Sequence, residues 1–289
     1  MPFISVILTT YNRERYLPVM LDCLRKQTFG DHELILVDNG STDDTPAICA
    51  AYAGADARVK LLTIRKNAGA SPGRNAGLAA ATGEYVAFVD DDDHCAPSML
   101  EFLARLAREE NADIAMCGSC NDFDGRLEPY FAGGERFSFD RPRGLRELLA
   151  RRLYNVAPPT KLFRRALWEG LAFPAGVLVD DIHVVYKAFE RAGRVAGWNV
   201  ALYFFRKHES NMTAFIHDKR MTPELLDEYL AMYRTRAEYL VARAPEIADD
   251  VERSMVAFMR SMCANIAANR LTDCGKQLKF MTDYLDGKR

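Results

Sequence analysis

Residues 85–93 read Tyr85-Val86-Ala87-Phe88-Val89-Asp90-Asp91-Asp92-Asp93. The apolar run is long enough for a strand buried on both faces, and such strands belong to mostly parallel sheets. Four carboxylates follow at once. Acids crowded into one turn repel each other, and none can be buried without a partner. A hard divalent cation is the simplest counter-charge, because Mg²⁺ or Mn²⁺ binds through one or two carboxylates and keeps positions for phosphate oxygens. The competing reading is a solvated acidic loop leading into a helix, since Pro97 and Ser98 follow.

Working outward, the flanking sequence alternates strand and helix signals. Phe3–Thr10, Glu33–Asp38 and Val59–Ile64 are further β-branched apolar runs. Residues 14–27, Ser71–Ala81 and Met99–Glu110 carry helical spacing between them. Ser41 or Thr42 is placed to cap the helix after the second strand, with Asp43 and Asp44 in its first turn. This alternation predicts an α/β fold, a Rossmann-like, mostly parallel sheet flanked by helices. In such sheets ligands bind at the carboxyl ends of the strands. Residues 121–142, rich in Gly, Pro, Phe and Asp, read as an irregular loop, and Leu145–Tyr154 as a basic amphipathic helix. From Pro223 to Leu285 the spacing is helical, broken near Ala244-Pro245 and Leu271-Thr272, so three helices are expected. The expected organisation is a catalytic domain over 1–220, with a nucleotide-binding half 1–120 and an acceptor half 121–220, and a helical C-terminal appendage over 221–289.

The chain has 289 residues, 49% hydrophobic and 27% charged, with net charge -2. It can bury a full core, and disorder is excluded as the main state. No stretch approaches a membrane span, and no signal peptide is visible at the N-terminus. Seven scattered cysteines fit a reducing cytosol, with Cys117-Gly-Ser-Cys120 lacking the partners of a zinc site. Residues 1–140 carry 13 basic and 22 acidic side chains; residues 141–207 carry 13 and 5. An acidic half facing a basic segment does not suit nucleic acid. It suits a metal on one wall and an anionic substrate on the other.

Three more clusters fall at strand ends. Thr9-Thr10-Tyr11-Asn12-Arg13 offers hydroxyls, an aromatic ring and an amide where a base would lie. Asp38-Asn39-Gly40-Ser41 ends the second strand. Gly73-Arg74-Asn75-Ala76-Gly77 places a guanidinium in a glycine-rich helix start, suited to phosphate or carboxylate. Each alone could be a turn or cap; all four signals converge on one sheet edge.

These stretches, with Gln27-Thr28-Phe29, Gly83-Glu84-Tyr85, Lys161-Leu162-Phe163-Arg164-Arg165, Phe173-Pro174-Ala175-Gly176, Val179-Asp180-Asp181 and Tyr203-Phe204-Phe205-Arg206, resemble the family 2 inverting glycosyltransferases of the GT-A type. The resemblance is strongest over residues 3–110 and does not reach the tail after about residue 220. It implies transfer of a sugar from a nucleotide-sugar, a UDP-sugar first, to a glycan or lipid-linked glycan in surface polysaccharide synthesis, with Mn²⁺ or Mg²⁺ as cofactor. By position, Asp92 would be the main metal ligand, and Asp90 or Asp91 would hold the ribose or donor sugar. Tyr11 would stack on the base, Thr9 and the Asp38-Asn39 pair would read its edge, and Arg74 would serve the donor side. Asp181 would be the general base, with Asp180 supporting it or capping a helix. His208 would be a late histidine at the metal and diphosphate. Many relatives have Asp where this chain has Asn39. An amide can accept from a uracil N–H but can also donate, so the base identity stays open on these residues.

His94 could face the acceptor, and Trp168 or Trp198 a sugar, against packing roles for each; His32, His183 and His217 read as ordinary structural histidines. The basic run Arg141, Arg143, Arg146, Arg151, Arg152, Lys161, Arg164 and Arg165 suggests an anionic acceptor or an anionic membrane surface. The expected location is cytoplasmic, with peripheral contact at the inner face of the membrane. Wide apolar stripes on the tail helices must bury against the catalytic domain or in a homodimer. The competing function is a catalytically silent nucleotide-sugar-binding or scaffold subunit. A phosphotransferase would need its acidic motif after the first strand, and a dinucleotide enzyme would need Gly-x-Gly-x-x-Gly there.

Overall fold

The computed structural model describes residues 1–67, 69–209, 211 and 221–288; His217 lies outside them. Four strands, β1 (Ile4–Thr10), β2 (His32–Asp38), β3 (Val59–Thr63) and β4 (Tyr85–Asp90), form a parallel block in the order β3-β2-β1-β4. Register aligns Thr10 with Asp38 and Thr9 with Asp90, so three candidate segments end side by side. Alternate residues of one strand enter different cores: Ile7 joins Ile35 and Phe88 on one face, while Val6 and Leu8 join Leu36 and Val89 on the other. Burial on both faces is why these strands read as continuous apolar runs.

Beyond β4 the sheet is mixed. Strand β5 (His94–Cys95) is short. β6 (Ile114–Phe123) is followed by β7 (Arg126–Tyr130), β8 (Arg136–Asp140), β9 (Lys161–Arg164) and β10 (Arg194–Arg206). β9 lies antiparallel between β4 and β6, β10 runs parallel beside β6, and β5 closes that edge. The expected irregular loop at 121–142 is therefore three strand segments and a helix start. Asp124 (φ 51°) and Gly125 (φ 92°) make a two-residue hairpin turn with both residues left-handed, as the twist of such hairpins requires. Phe137 and Phe139 alternate inward with period two, stacked at 5.1 Å.

The helices between strands are α1 (Leu17–Arg25), α2 (Thr45–Ala55), α3 (Ala70–Ala80), α4 (Met99–Glu109), α5 (Arg141–Ala150) and α6 (Val185–Arg191). Neither Ser41 nor Thr42 caps α2. Pro46 fixes the first turn later, and Ser41 Oγ and the Thr42 N–H bond instead to Asn12. α5 starts earlier than expected, where the Asp140 carboxylate accepts the Arg143 N–H. α3 lies unusually close to β1. A Cβ at Gly73 would stand 2.9 Å from Thr9 Cγ2, and one at Gly77 2.4 Å from Ile7 Cγ2. Those glycines are what let the helix carrying Arg74 and Asn75 sit against the sheet.

Three helices complete the described chain: α7 (Pro223–Arg243), α8 (Ala248–Asn269) and α9 (Gly275–Leu285). Their breaks fall at the expected places. Leu225, Leu226, Met259, Ile266 and Met281 form a core among the helices themselves, while Leu240, Ala244, Ile247 and Val251 join the sheet-side core with α5 and α6. The apolar stripes thus pack mainly on one another, with Leu240, Ala244, Ile247 and Val251 reaching the sheet-bearing part, while Tyr229, Leu230, Met255, Phe258 and Met262 are half-buried.

Candidate active site

The acidic turn after β4 is built unequally. Asp93 is buried, accepts the Arg206 N–H at 2.8 Å, and faces the Tyr203 hydroxyl, which also accepts the Asp90 N–H at 3.0 Å. Burial beside Asp90 and Asp92 pushes Asp93 well above the usual carboxylate range. This residue fastens the turn to β10. Asp91 accepts the Tyr11 N–H at 3.3 Å and faces Arg13 Nε at 3.4 Å. Burial, then the neighbouring Asp92 charge, pushes it up to about 7. Asp90, its side chain 36% exposed, is raised by burial and held against that rise by Arg74. Asp92 meets His208 Nε2 at 3.1 Å, Asn211 Nδ2 at 3.4 Å and Arg13 Nη2 at 3.7 Å. The His208 ring stacks on Tyr16 at 4.6 Å, which fixes its plane.

At the neighbouring strand ends, Tyr11 is 38% exposed and presents its ring to solvent. Thr9 packs against Gly73 of α3. Asp38 is buried and accepts the Ser41 N–H at 3.1 Å, closing a turn that needs Gly40 at φ +80°. Asn39 is buried too. Its NH₂ group donates to Asn67 Oδ1 at 3.2 Å and to the Gly69 carbonyl at 2.5 Å, leaving Oδ1 buried with no hydrogen-bond partner. The donor side of this amide is therefore occupied and only an acceptor remains.

Arg74 reaches both ways. One guanidinium nitrogen bonds Asp180, and the other lies 3.2 Å from Asp90. Ser71 Oγ adds a 3.1 Å bond to Asp180. Asp180 is thus spent on α3 rather than on a helix cap. The adjacent Asp181 differs: burial pushes its carboxyl up to about 6, and its Oδ1 is buried with no hydrogen-bond partner. Arg74 thus joins Asp90 to Asp180 across 90 residues of sequence, and its charge also acts on Asp181. Among the described residues no set of three or more His, Cys, Asp or Glu side chains is already gathered as a metal cage. Asp92 and His208, 3.1 Å apart, are two side chains that could ligate a divalent ion taking its other ligands from water and phosphate.

Several contributors carried no signal of their own in the sequence. Arg13 sits inside a quoted motif yet reveals its Asp91 and Asp92 contacts only in three dimensions, as do Tyr203, Tyr16 and Ser71. Other candidates resolve into packing. His94 bonds Asp122 at 2.8 Å and stacks on Phe204; Trp168 lies in the aromatic core with Phe88, Phe163 and Phe173; Trp198 packs on Phe102 and Arg136. The basic run is largely paired internally. Arg141 meets Glu190 and Glu246, Arg146 meets Asp250, Arg152 meets Glu147 and Arg164 meets Asp113 and Glu84. Lys161 is buried and donates to the Ala157 carbonyl at 2.7 Å, and Arg165 donates to the Gly83 carbonyl. Arg143 and Arg151 remain exposed at the two ends of α5.

An α/β sheet of this order with such a turn is the architecture of the GT-A glycosyltransferases. The chain is similar to residues 1–349 of S. aureus TarS, solved in complex with UDP-GlcNAc, with a TM-score of 0.71 at 25% identity over 93% of this chain and 74% of that one. The model for glycosyl transferase family 2 matches residues 5–171, and the chain belongs to that family. It is 30% identical to the glycosyltransferase GlyG of Streptococcus pneumoniae serotype 4 over 72% of each chain. It is also 30% identical to the poly(ribitol-phosphate) beta-N-acetylglucosaminyltransferase TarS of Staphylococcus aureus, over 85% of this chain and 42% of TarS.

Proposed function

We propose that the chain is a metal-dependent, inverting glycosyltransferase that moves a sugar from a UDP-sugar to a hydroxyl of a glycan or lipid-linked glycan in surface polysaccharide synthesis. An N-acetylhexosamine is the first donor sugar to test, given the UDP-GlcNAc bound to the structural relative. The observation that carries this reading is the single Arg74 guanidinium joining Asp90, at the acidic turn, to the Asp180-Asp181 segment. It supports a reading in which Asp181, next to Asp180 and with an oxygen that has no hydrogen-bond partner, serves the reacting centre.

In this reading Tyr11 stacks on the base, with Thr9, Asp38 and Asn39 around its edge. The occupied NH₂ of Asn39 favours a base that donates an N–H, as uracil does. Asp90 and Asp91 hold the ribose or sugar, and Arg74 orients Asp90. A divalent ion held by Asp92 and His208 would neutralise charge developing on the departing diphosphate. Asp181 takes the proton of the acceptor hydroxyl as that oxygen bonds to the anomeric carbon and the bond to diphosphate breaks; one such displacement inverts the centre. A carboxyl near 6 is ionised at neutral pH and still basic enough for this task. Residues 1–120 supply the nucleotide half, 121–220 the acceptor half and 221–289 the helical appendage. No described helix is long and apolar enough to cross a membrane.

The test is a thermal-shift comparison of UDP, GDP, TDP and UDP-GlcNAc with and without Mn²⁺. A ligand at 100 times its Kd adds about 2.7 kcal/mol, so the matching nucleotide stands out. Stabilisation by no nucleotide in either condition would sink the reading.

A further inference from the structure

The segment carrying Asp181 is held from two sides. On one side α3 grips its start: Asn75 exchanges two hydrogen bonds with the Phe173 backbone, at 2.8 and 2.9 Å, and Ser71 Oγ donates to the Pro174 carbonyl at 2.6 Å. On the other side α7 grips its end through one residue. The Glu228 carboxylate accepts the Leu178 N–H at 3.0 Å and the Val179 N–H at 3.1 Å. The same carboxylate lies 3.6 Å from His183 Nε2, and its side chain is only 17% exposed. Val179 and Ile182, which flank the two aspartates, pack into a small core with Tyr229, Met232, Tyr233, Met255 and Phe258. All five of those partners belong to α7 and α8.

We infer that Glu228 is a positioning residue for Asp181: the C-terminal helix fixes where the base stands through two charge-assisted bonds to the backbone just before it. This rests on the reading of Asp181 given above. A carboxylate taking two N–H groups holds a backbone firmly. The clamp is distinct from the apolar contacts of Val179 and Ile182, since Leu178, which donates to it, is itself 49% exposed. Its effect is on placement. Glu228 lies beyond residues 5–171, the span matched by the family model.

Full-length wild type, Glu228→Ala, Glu228→Gln and Asp181→Asn are compared in two measurements. Turnover is read as UDP release from UDP-GlcNAc with water as acceptor, giving kcat and donor KM separately. Amide hydrogen exchange is read on peptides spanning residues 175–182. Glu228→Ala should lower kcat by about 10- to 100-fold, the scale expected for a displaced catalytic group. Donor KM should stay within about threefold, because the residues that touch the donor in this reading do not contact Glu228. Exchange at Leu178 and Val179 should quicken. Glu228→Gln, which keeps an oxygen acceptor, should recover most of both. Unchanged kcat in Glu228→Ala despite faster exchange overturns the inference, as does unchanged exchange. A matching loss of donor affinity and of melting temperature in both Glu228 variants also overturns it, in favour of a general structural role. Wild-type release by Asp181→Asn overturns the reading of Asp181 itself, a separate failure.

Discussion

Asp181 and Asp180 are neighbours with opposite situations. Asp180 is tied to Arg74 and Ser71, whereas Asp181 keeps an oxygen without a partner. Asp181→Asn should therefore cut turnover by about 10²–10⁴-fold while donor affinity holds within a few-fold, since the amide keeps the shape but cannot take a proton. Parallel losses in rate and affinity would mark the residue as structural. The same carboxyl fixes a pH limb. Burial raises it to about 6, so the base form is lost as pH falls through 6 and kcat should decline on that acid side; a profile flat from pH 7 to pH 5 contradicts the assignment. Asp92→Ala removes one carboxylate contact of His208 and Asn211, and should abolish turnover together with the Mn²⁺-dependent part of nucleotide stabilisation. Near-normal turnover in chelator-treated enzyme would exclude the metal role. The acidic turn at 90–93 stands out because it follows a buried apolar run directly, whereas the roles proposed for Asp92 and Asp181 come from the family resemblance and not from the pattern alone. The bond from Arg74 to Asp180 could not be read, because 106 residues separate them and only the folded sheet brings them together.

At the scale of elements, the parallel strands were readable because burial on both faces writes an unbroken apolar run. The hairpin at 121–130 and strand β8 were not, because Asp124-Gly125 and the spaced Phe137 and Phe139 resemble loop composition unless turn chemistry and period-two spacing are weighed together. The α3 glycines lie between these cases: their spacing signals close packing, but the sheet they touch is visible only in three dimensions. Gly77→Ala puts a methyl 2.4 Å from Ile7 Cγ2, so β1 or α3 must move. Overpacking of this kind costs about 1–3 kcal/mol. The variant should melt several degrees lower and, because α3 carries Arg74, lose turnover beyond what its stability explains. An unchanged melting temperature would show that the interface gives way at little cost. The helix carrying Glu228 was readable from its apolar spacing, but the contact Glu228 makes was not, since an acidic residue on a helix looks the same whether it meets water or a backbone.

Across the whole molecule, the tail is part of the sheet-side core rather than a loose addition. Leu240, Ala244, Ile247 and Val251 are all within 3% of full burial there, and each large apolar side chain so buried stabilises by about 1.5–3 kcal/mol. A chain ending at residue 220 should therefore lose the cooperative unfolding transition, measured by thermal denaturation; a truncated protein melting like the full chain would show that the helices are dispensable. The strand order has a consequence for how the protein is born. β9 is the strand between β4 and β6, yet it is made some 38 residues after β6 ends, at Lys161 against Phe123. Until the ribosome has delivered residue 164, the emerging parallel block must wait with the Tyr85–Ala87 edge of β4 open. Charges close to an unpaired edge disfavour its docking on a second chain, so the acidic turn, three residues past the Ala87 end of that edge, should also lower aggregation of the nascent block.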